Sequence, residues 1–121
     1  MADSSLLRIR RRTVTGGVVI VSIDGEIDLA TADIFRDSLS PHLADPETTL
    51  LVCDLTQVKF LACSGLSILV DARAALVARG GRLSVVANNP AVLRPVVVTG
   101  LRDVLRVRPN LSAALSQSTV D

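Results

Sequence analysis

The feature that most constrains this fold is a set of apolar segments too continuous to leave one side in water. They are Val18–Val21, Thr49–Leu55 and Arg82–Ala87. Successive side chains of a strand point to opposite faces, so an unbroken apolar run predicts a strand covered on both sides. Helix signals separate these segments, and this alternation predicts an α/β domain with a largely parallel or mixed sheet.

Two helices follow from capping residues and from a 3.6-residue apolar period. The first is expected to begin at Ala32 with Thr31 as its N-cap. Pro41 predicts a kink in it, or a restart with Ser40 as the cap. The clearest helix opens at Ser64 and runs to about Arg79, where Gly80 and Gly81 end it. Its predicted buried stripe contains Gly65, Ile68, Leu69, Ala72 and Leu76.

The remaining elements complete a single domain. The segment 6–12 alternates apolar and basic residues, which predicts a half-buried edge strand, and the glycines at 16 and 17 predict a hairpin turn after it. Asn89 with Pro90 predicts a third helix, and Asn110 a fourth that ends near Gln117. A last short strand is expected over Val104–Val107. We therefore expect one compact domain over residues 1–121, with its core at about 6–117. Its mixed sheet of four to five strands is covered by about four helices.

Composition excludes several classes of protein. No uncharged stretch approaches the roughly 18 residues that a membrane-spanning helix needs, and the N-terminus lacks the apolar region of a secretory signal. A net charge of +1 argues against nucleic-acid binding. The two cysteines fit neither a zinc finger nor a disulfide scaffold. These observations predict a cytoplasmic protein that contacts neither membrane nor nucleic acid.

The residues needed for catalysis are missing. No glycine-rich phosphate loop follows any predicted strand, and a single histidine, His42, excludes a catalytic triad or a two-histidine metal site. We interpret His42 as an ordinary surface or capping residue. Asp24, Glu26 and Asp28 alternate along an extended segment and share one face, but they lack the spacing of a calcium loop. They predict a solvated acidic edge, and the chain is expected to have no enzymatic activity, metal or cofactor.

One segment allows two interpretations. Val58 and Phe60 flank Lys59 in a short alternating stretch, and small residues then cluster where the helix of Ser64 begins. In the simple interpretation Ser64 is an N-cap beside a packed Cys63. In the functional one, the partial positive charge of the helix N-terminus favours an anion, so a hydroxyl there carries a phosphate or a thiol acts as a thiolate.

The order of these motifs resembles the STAS domain, and more narrowly the bacterial anti-sigma-factor antagonists. The likeness extends from about Leu7 to Leu115. It rests on five stretches: residues 24–28, 51–55, 60–66, 99–101 and 110–115. The resemblance implies a domain that binds an anti-sigma factor, frees a sigma factor and thereby regulates transcription. It also implies a partner that is a serine kinase of the GHKL type and phosphorylates the antagonist at the start of the second helix.

The chain departs from the family pattern at that position. The usual sequence is Asp-Ser-Ser/Thr-Gly-Leu, whereas this chain has Ala62-Cys63-Ser64-Gly65-Leu66. Cys63 thus occupies the phospho-acceptor position, and Ser64 matches the second hydroxyl. Three explanations stay open: a constitutively active antagonist, a phosphorylation switch moved to Ser64, or thiol-based regulation at Cys63.

We expect the partner to bind at this corner of the domain and at the acidic segment before the first helix. The expected contacts are Asp24, Glu26, Asp28, Lys59, Ala62, Cys63, Ser64, Gly65 and Ser67. The alternative function is a non-enzymatic STAS module that binds a ligand or serves as a scaffold in stress signalling.

Overall fold

A computed structural model describes residues 7–117; the expected strand residue Leu6 and the outer limits of the domain at 1 and 121 lie outside them. These residues form a five-stranded sheet in the order β1-β2-β3-β4-β5. Strands β1 and β2 are antiparallel and all other neighbours are parallel, so the expected α/β fold with a mixed sheet is confirmed. In chain order the elements are β1 (Leu7–Val14), β2 (Val18–Ile27), α1 (Ala32–Ala44), β3 (Leu50–Leu61), α2 (Cys63–Val77), β4 (Arg82–Val86), α3 (Pro90–Val98), β5 (Val107–Arg108) and α4 (Leu111–Gln117).

Helices on both faces explain the continuous apolar runs. One set of alternate side chains, which includes Val19, Leu51 and Cys53, packs under α1, α2 and α3 in the main core. The other set, which includes Ile20 and Val52, packs against α4. A strand of this sheet is therefore apolar on both faces only along the part that helices cover on both sides. All the core residues expected from the sequence are buried: Val19, Val21, Leu51, Cys53, Leu55, Leu69, Leu76, Leu83 and Val85.

The structure corrects several expected boundaries. Helix α1 continues through Pro41 without a restart at Ser40, whose hydroxyl donates to the carbonyl of Arg36 at 3.0 Å. The separate stretch expected around Lys59 belongs to β3, which has irregular pairing with β2 near its end. The last strand is limited to Val107–Arg108, because residues 102–106 form turns.

Two predicted caps act differently from expectation. Thr31 and Asn89 occupy N-cap positions, but neither side chain bonds to its own helix. Asn89 instead donates through Nδ2 to the carbonyl of Val58 at 2.6 Å, which joins the start of α3 to β3. Asn110 does act as predicted, since its Oδ1 accepts from the Ala113 amide at 2.8 Å.

His42 is buried, at 7% exposure, so the expectation of a surface or capping residue was wrong. It lies in the last turn of α1, where Arg79 from the end of α2 reaches across. The Arg79 guanidinium donates to the carbonyls of His42, Leu43 and Thr48 at 3.0, 3.0 and 3.1 Å. These hydrogen bonds tie the end of α1 and the loop after it to the end of α2.

Candidate functional site at the carboxyl ends of β2 and β3

The candidate site is built where two parallel central strands end side by side. Glu26 pairs with Phe60 and Ile27 with Leu61 in the β2–β3 register. The Ala62 amide then donates to the Ile27 carbonyl at 2.9 Å, so the junction before α2 is attached directly to the end of β2. The carboxyl ends of parallel strands are where loops of an α/β sheet converge. The acidic segment and the small-residue corner expected from the sequence are thus neighbours.

Gly65 sets how closely α2 approaches these strands. A Cβ added at Gly65 would lie 2.6 Å from Leu61 Cδ1 and 2.7 Å from Ile27 Cγ2. No side chain fits there without a shift of the helix or of two buried neighbours. The glycine therefore holds the first turn of α2 against the strand ends, and this fixes the place of Cys63.

Cys63 and Ser64 have opposite environments. Helix α2 begins at Cys63 with Ala62 as its N-cap residue, so the interpretation of Ser64 as the N-cap was wrong. Cys63 is exposed, whereas the Ser64 hydroxyl oxygen is buried and has no hydrogen-bond partner among residues 7–117. A buried hydroxyl without a partner is energetically costly. The only other cysteine, Cys53, lies in the core, where burial and then the Asp54 charge raise the pKa of its thiol to about 12.

The acidic residues do not act as one face. Asp24 lies within β2 and its Oδ1 is 4.0 Å from Lys59 Nζ, while Glu26 is exposed. Asp28 lies beyond the end of β2, and its Oδ1 accepts from the amides of Ala30 and Thr31 at 2.9 and 3.1 Å. Asp28 therefore shapes the turn before α1. Among residues 7–117, no group of three or more His, Cys, Asp and Glu is arranged to hold a metal ion.

Two exposed apolar side chains at the site were missed from the sequence. Leu29, in the turn after β2, is 85% exposed, and Phe60, near the end of β3, is 51% exposed. In contrast, Ile27 at the end of β2 and Leu61 at the end of β3 are buried. Strict alternation about Lys59 would place Phe60 on the buried face with Val58, but the register shift between Val58 and Phe60 in the β2–β3 pairing leaves Phe60 exposed. Exposed large apolar residues beside a functional corner are typical of a protein-binding surface.

A shallow groove continues the site along α2. It has a volume of about 280 Å³ and lies between α2 and the segment after α3. Cys63, Leu66 and Ser67 line its α2 side, and Thr99 and Leu101 line the other. Ser67 is exposed, as expected for a contact residue. The corner thus offers a thiol, two apolar side chains and a groove, but no pair of groups suited to acid–base or nucleophilic catalysis.

Comparison with known proteins agrees with this architecture. The family model described as the STAS domain matches residues 10–114, and the chain belongs to that family. It is 36% identical over 100 residues to the anti-sigma-F factor antagonist RsfB of Mycobacterium tuberculosis H37Rv, covering 83% of this chain and 80% of that protein. It is 31% identical over 87 residues to the anti-sigma-B factor antagonist of Bacillus subtilis 168, covering 72% and 78%. A crystal structure of an anti-sigma factor antagonist from Mycobacterium paratuberculosis superposes with a TM-score of 0.84 at 35% identity, covering 92% of each chain.

None of the helices in the described part of the chain combines the length and apolar character needed to cross a bilayer.

Proposed function

We propose that this protein is an anti-sigma-factor antagonist, which binds an anti-sigma factor in the cytoplasm and so frees a sigma factor for transcription. The observation that supports this most is the 36% identity to an anti-sigma-F factor antagonist over 83% of the chain. The site agrees with it, because its exposed features suit binding to a protein and include no catalytic pair. The function is therefore association with a partner, without catalysis by this chain.

The partner-binding surface of this proposal is the corner between β2, β3 and α2. It combines the expected residues Asp24, Glu26, Asp28, Lys59, Ala62, Cys63, Ser64, Gly65 and Ser67 with the exposed Leu29 and Phe60. Exposed apolar anchors supply binding energy when a partner covers them, and the surrounding charges orient it. Gly65 and Asp28 contribute by holding the corner in shape.

The same proposal makes antagonism independent of phosphorylation at this corner. Cys63, in place of the usual serine, offers no hydroxyl, and the Ser64 oxygen is buried where a kinase cannot reach it without opening the helix turn. Of the three explanations, the constitutive antagonist therefore has the most support. The thiol of Cys63 is exposed, so thiol regulation remains chemically available.

The test of binding uses a complex of sigma factor and anti-sigma factor from the same bacterium. Adding this protein is expected to release the sigma factor, measured by gel filtration and by transcription from a promoter that needs it. Leu29→Ser combined with Phe60→Ser should weaken release. Val77→Ser is the matched control, because Val77 is 48% exposed at the other end of α2. An intact complex at large excess of this protein would contradict the proposal and favour a ligand-binding or scaffolding module.

The test of phosphorylation uses an anti-sigma factor with kinase activity of the GHKL type and ATP. The unaltered protein is expected to take up no phosphate. Ala62→Asp combined with Cys63→Ser restores the family pattern and should be phosphorylated, while Ala62→Asp alone should not. Phosphate found on Ser64 of the unaltered protein would show that the switch has moved one residue along.

A further inference from the structure

Strand β1 forms an open edge of the sheet. Its hydrogen-bonded neighbour is β2, and in the described ranges no backbone hydrogen bond joins β1 to any other element. In an antiparallel edge strand, alternate N–H and C=O groups point away from the sheet. At about 3.4 Å a residue, the eight residues of β1 span about 27 Å. This edge is long enough to pair with another strand.

Four of the eight β1 residues are arginine, and none is acidic. Arg8, Arg10 and Arg12 lie at alternate positions, so they share one face and are spaced about 6.8 Å apart. All three are exposed, and none forms an ion pair with a described residue. Arg8 stands directly opposite Asp24 in the register, yet the closest cation to that carboxylate is Lys59, at 4.0 Å.

The other face of β1 is partly apolar. Leu7 is buried and Ile9 is half-buried against the main core, whereas Arg11 on the same face is exposed. A strand added beside β1 would cover the open side of Ile9. One face of the edge is therefore basic. The other face is apolar at Leu7 and Ile9 and becomes basic at Arg11.

We propose that β1 is a second docking surface, which takes an extended acidic segment of a partner protein as a sixth strand. The segment carries Asp or Glu at alternate positions, because residues of a paired strand repeat at the same 6.8 Å spacing as the arginines. Opposite charges on directly facing strand positions stabilise the pair. Apolar residues between the acids cover Ile9.

The arginines also disfavour pairing of β1 with the β1 strand of a second copy of this chain. A second copy of this chain paired edge to edge would place arginines against arginines, and like charges in facing positions are destabilising. The exposed edge is therefore closed to self-association and open to an acidic strand. This docking surface adjoins the proposed corner surface where Arg8 stands opposite Asp24, but it uses different residues and does not depend on the proposed anti-sigma function.

The experiment uses the full chain and the synthetic peptide acetyl-Glu-Val-Glu-Val-Glu-Val-Glu-amide as probe. Binding is followed by NMR amide shifts and by hydrogen exchange, which should show new protection within residues 7–14. Increasing salt should weaken binding, since the pairing charges are exposed. The same peptide with Lys in place of Glu is expected not to bind.

Matched variants separate site-specific pairing from general attraction. Replacing Arg8, Arg10 and Arg12 together by Glu should weaken the affinity for the acidic peptide by about tenfold or more. The control replaces Arg73, Arg94 and Arg102 by Glu, which changes the net charge equally on α2, α3 and the turn after α3, and should leave the docking surface intact. Equal weakening by both triple variants would overturn the proposal.

Backbone pairing has its own control. Two versions of the peptide carry N-methyl groups on alternate amides, one on the odd and one on the even set. Strand addition predicts that one version loses binding much more than the other, because only one set of N–H groups faces β1. Equal affinity for both versions, protection outside β1, or tight binding of single-stranded DNA in place of the peptide would each contradict strand addition.

Discussion

At the scale of single residues, the close packing of the Cys63 corner depends on the glycine at position 65. Gly65 lacks the Cβ that would meet Leu61 Cδ1 at 2.6 Å and Ile27 Cγ2 at 2.7 Å. Gly65→Ala gains helix propensity but forces two buried side chains to move, so we expect a net loss of about 1–2 kcal/mol in the free energy of unfolding. Urea denaturation measures it. Gly81→Ala is the control with milder contacts, because its Cβ would come no closer than 3.3 Å, to the Leu76 carbonyl oxygen, and it should lose less stability. An unchanged stability of Gly65→Ala would contradict the close packing.

The two cysteines make a second prediction at this scale. Cys63 is exposed, while Cys53 is buried with its thiol pKa raised to about 12. Brief treatment with iodoacetamide should therefore label Cys63 and leave Cys53 unmodified, as measured by mass spectrometry of the digested protein. Labelled protein should bind the anti-sigma factor less well, because the added group lies on the proposed surface. Equal labelling of both thiols, or unchanged binding by fully labelled protein, would contradict this prediction.

At the scale of elements, Arg79 couples the two helices that flank the site. Its guanidinium donates to three carbonyls at the end of α1 and in the following loop. The last carbonyls of a helix have no partner within the helix, and a cation there is also favoured by the helix dipole. Arg79→Ala should lower the free energy of unfolding by about 1–2 kcal/mol in urea denaturation.

Two further variants test the cause. Arg73→Ala, within α2, should have little effect. Arg79→Lys should retain only part of the stability, since an ammonium cannot reach all the carbonyls that the planar guanidinium does. Equal effects of Arg73→Ala and Arg79→Ala would show that loss of charge, and not the contact with α1, is responsible.

The elements also show what the sequence could predict. Continuous apolar runs and glycine turns are determined by residues close together in sequence. The predictions of the central strands, of the buried stripe of α2 and of the turn at Gly16 were therefore correct. Contacts distant in sequence decided the rest. Pro41 is tolerated within α1, and Asn89 bonds to β3 instead of capping its helix. At the site, the cluster of small residues was visible, but the inward direction of the Ser64 hydroxyl depends on how α2 packs. The exposure of Leu29 depends on the turn between β2 and α1.

At the scale of the whole molecule, the domain has two surfaces of different character. The corner of Cys63 has apolar anchors beside acids, whereas the β1 edge has four arginines. The near-zero net charge conceals this separation. If both proposals hold, an anti-sigma factor at the corner and an acidic strand at the β1 edge would use different residues of one small domain, and the two surfaces would meet where Arg8 stands opposite Asp24.

Global stability should depend on pH through His42. Burial first, and then the nearby Arg11, lower the pKa of this imidazole from its ordinary 6.5, while Asp45 partly opposes them. Below pH 6.5 the unfolded chain therefore binds a proton that the folded chain does not, and stability falls as the pH decreases. The urea midpoint should drop between pH 7 and 5.5, a window above the ordinary range of carboxyl titration. In His42→Leu, a neutral side chain for the same buried place, the midpoint should be nearly constant over that window. An equally steep drop in His42→Leu would assign the pH dependence to other groups.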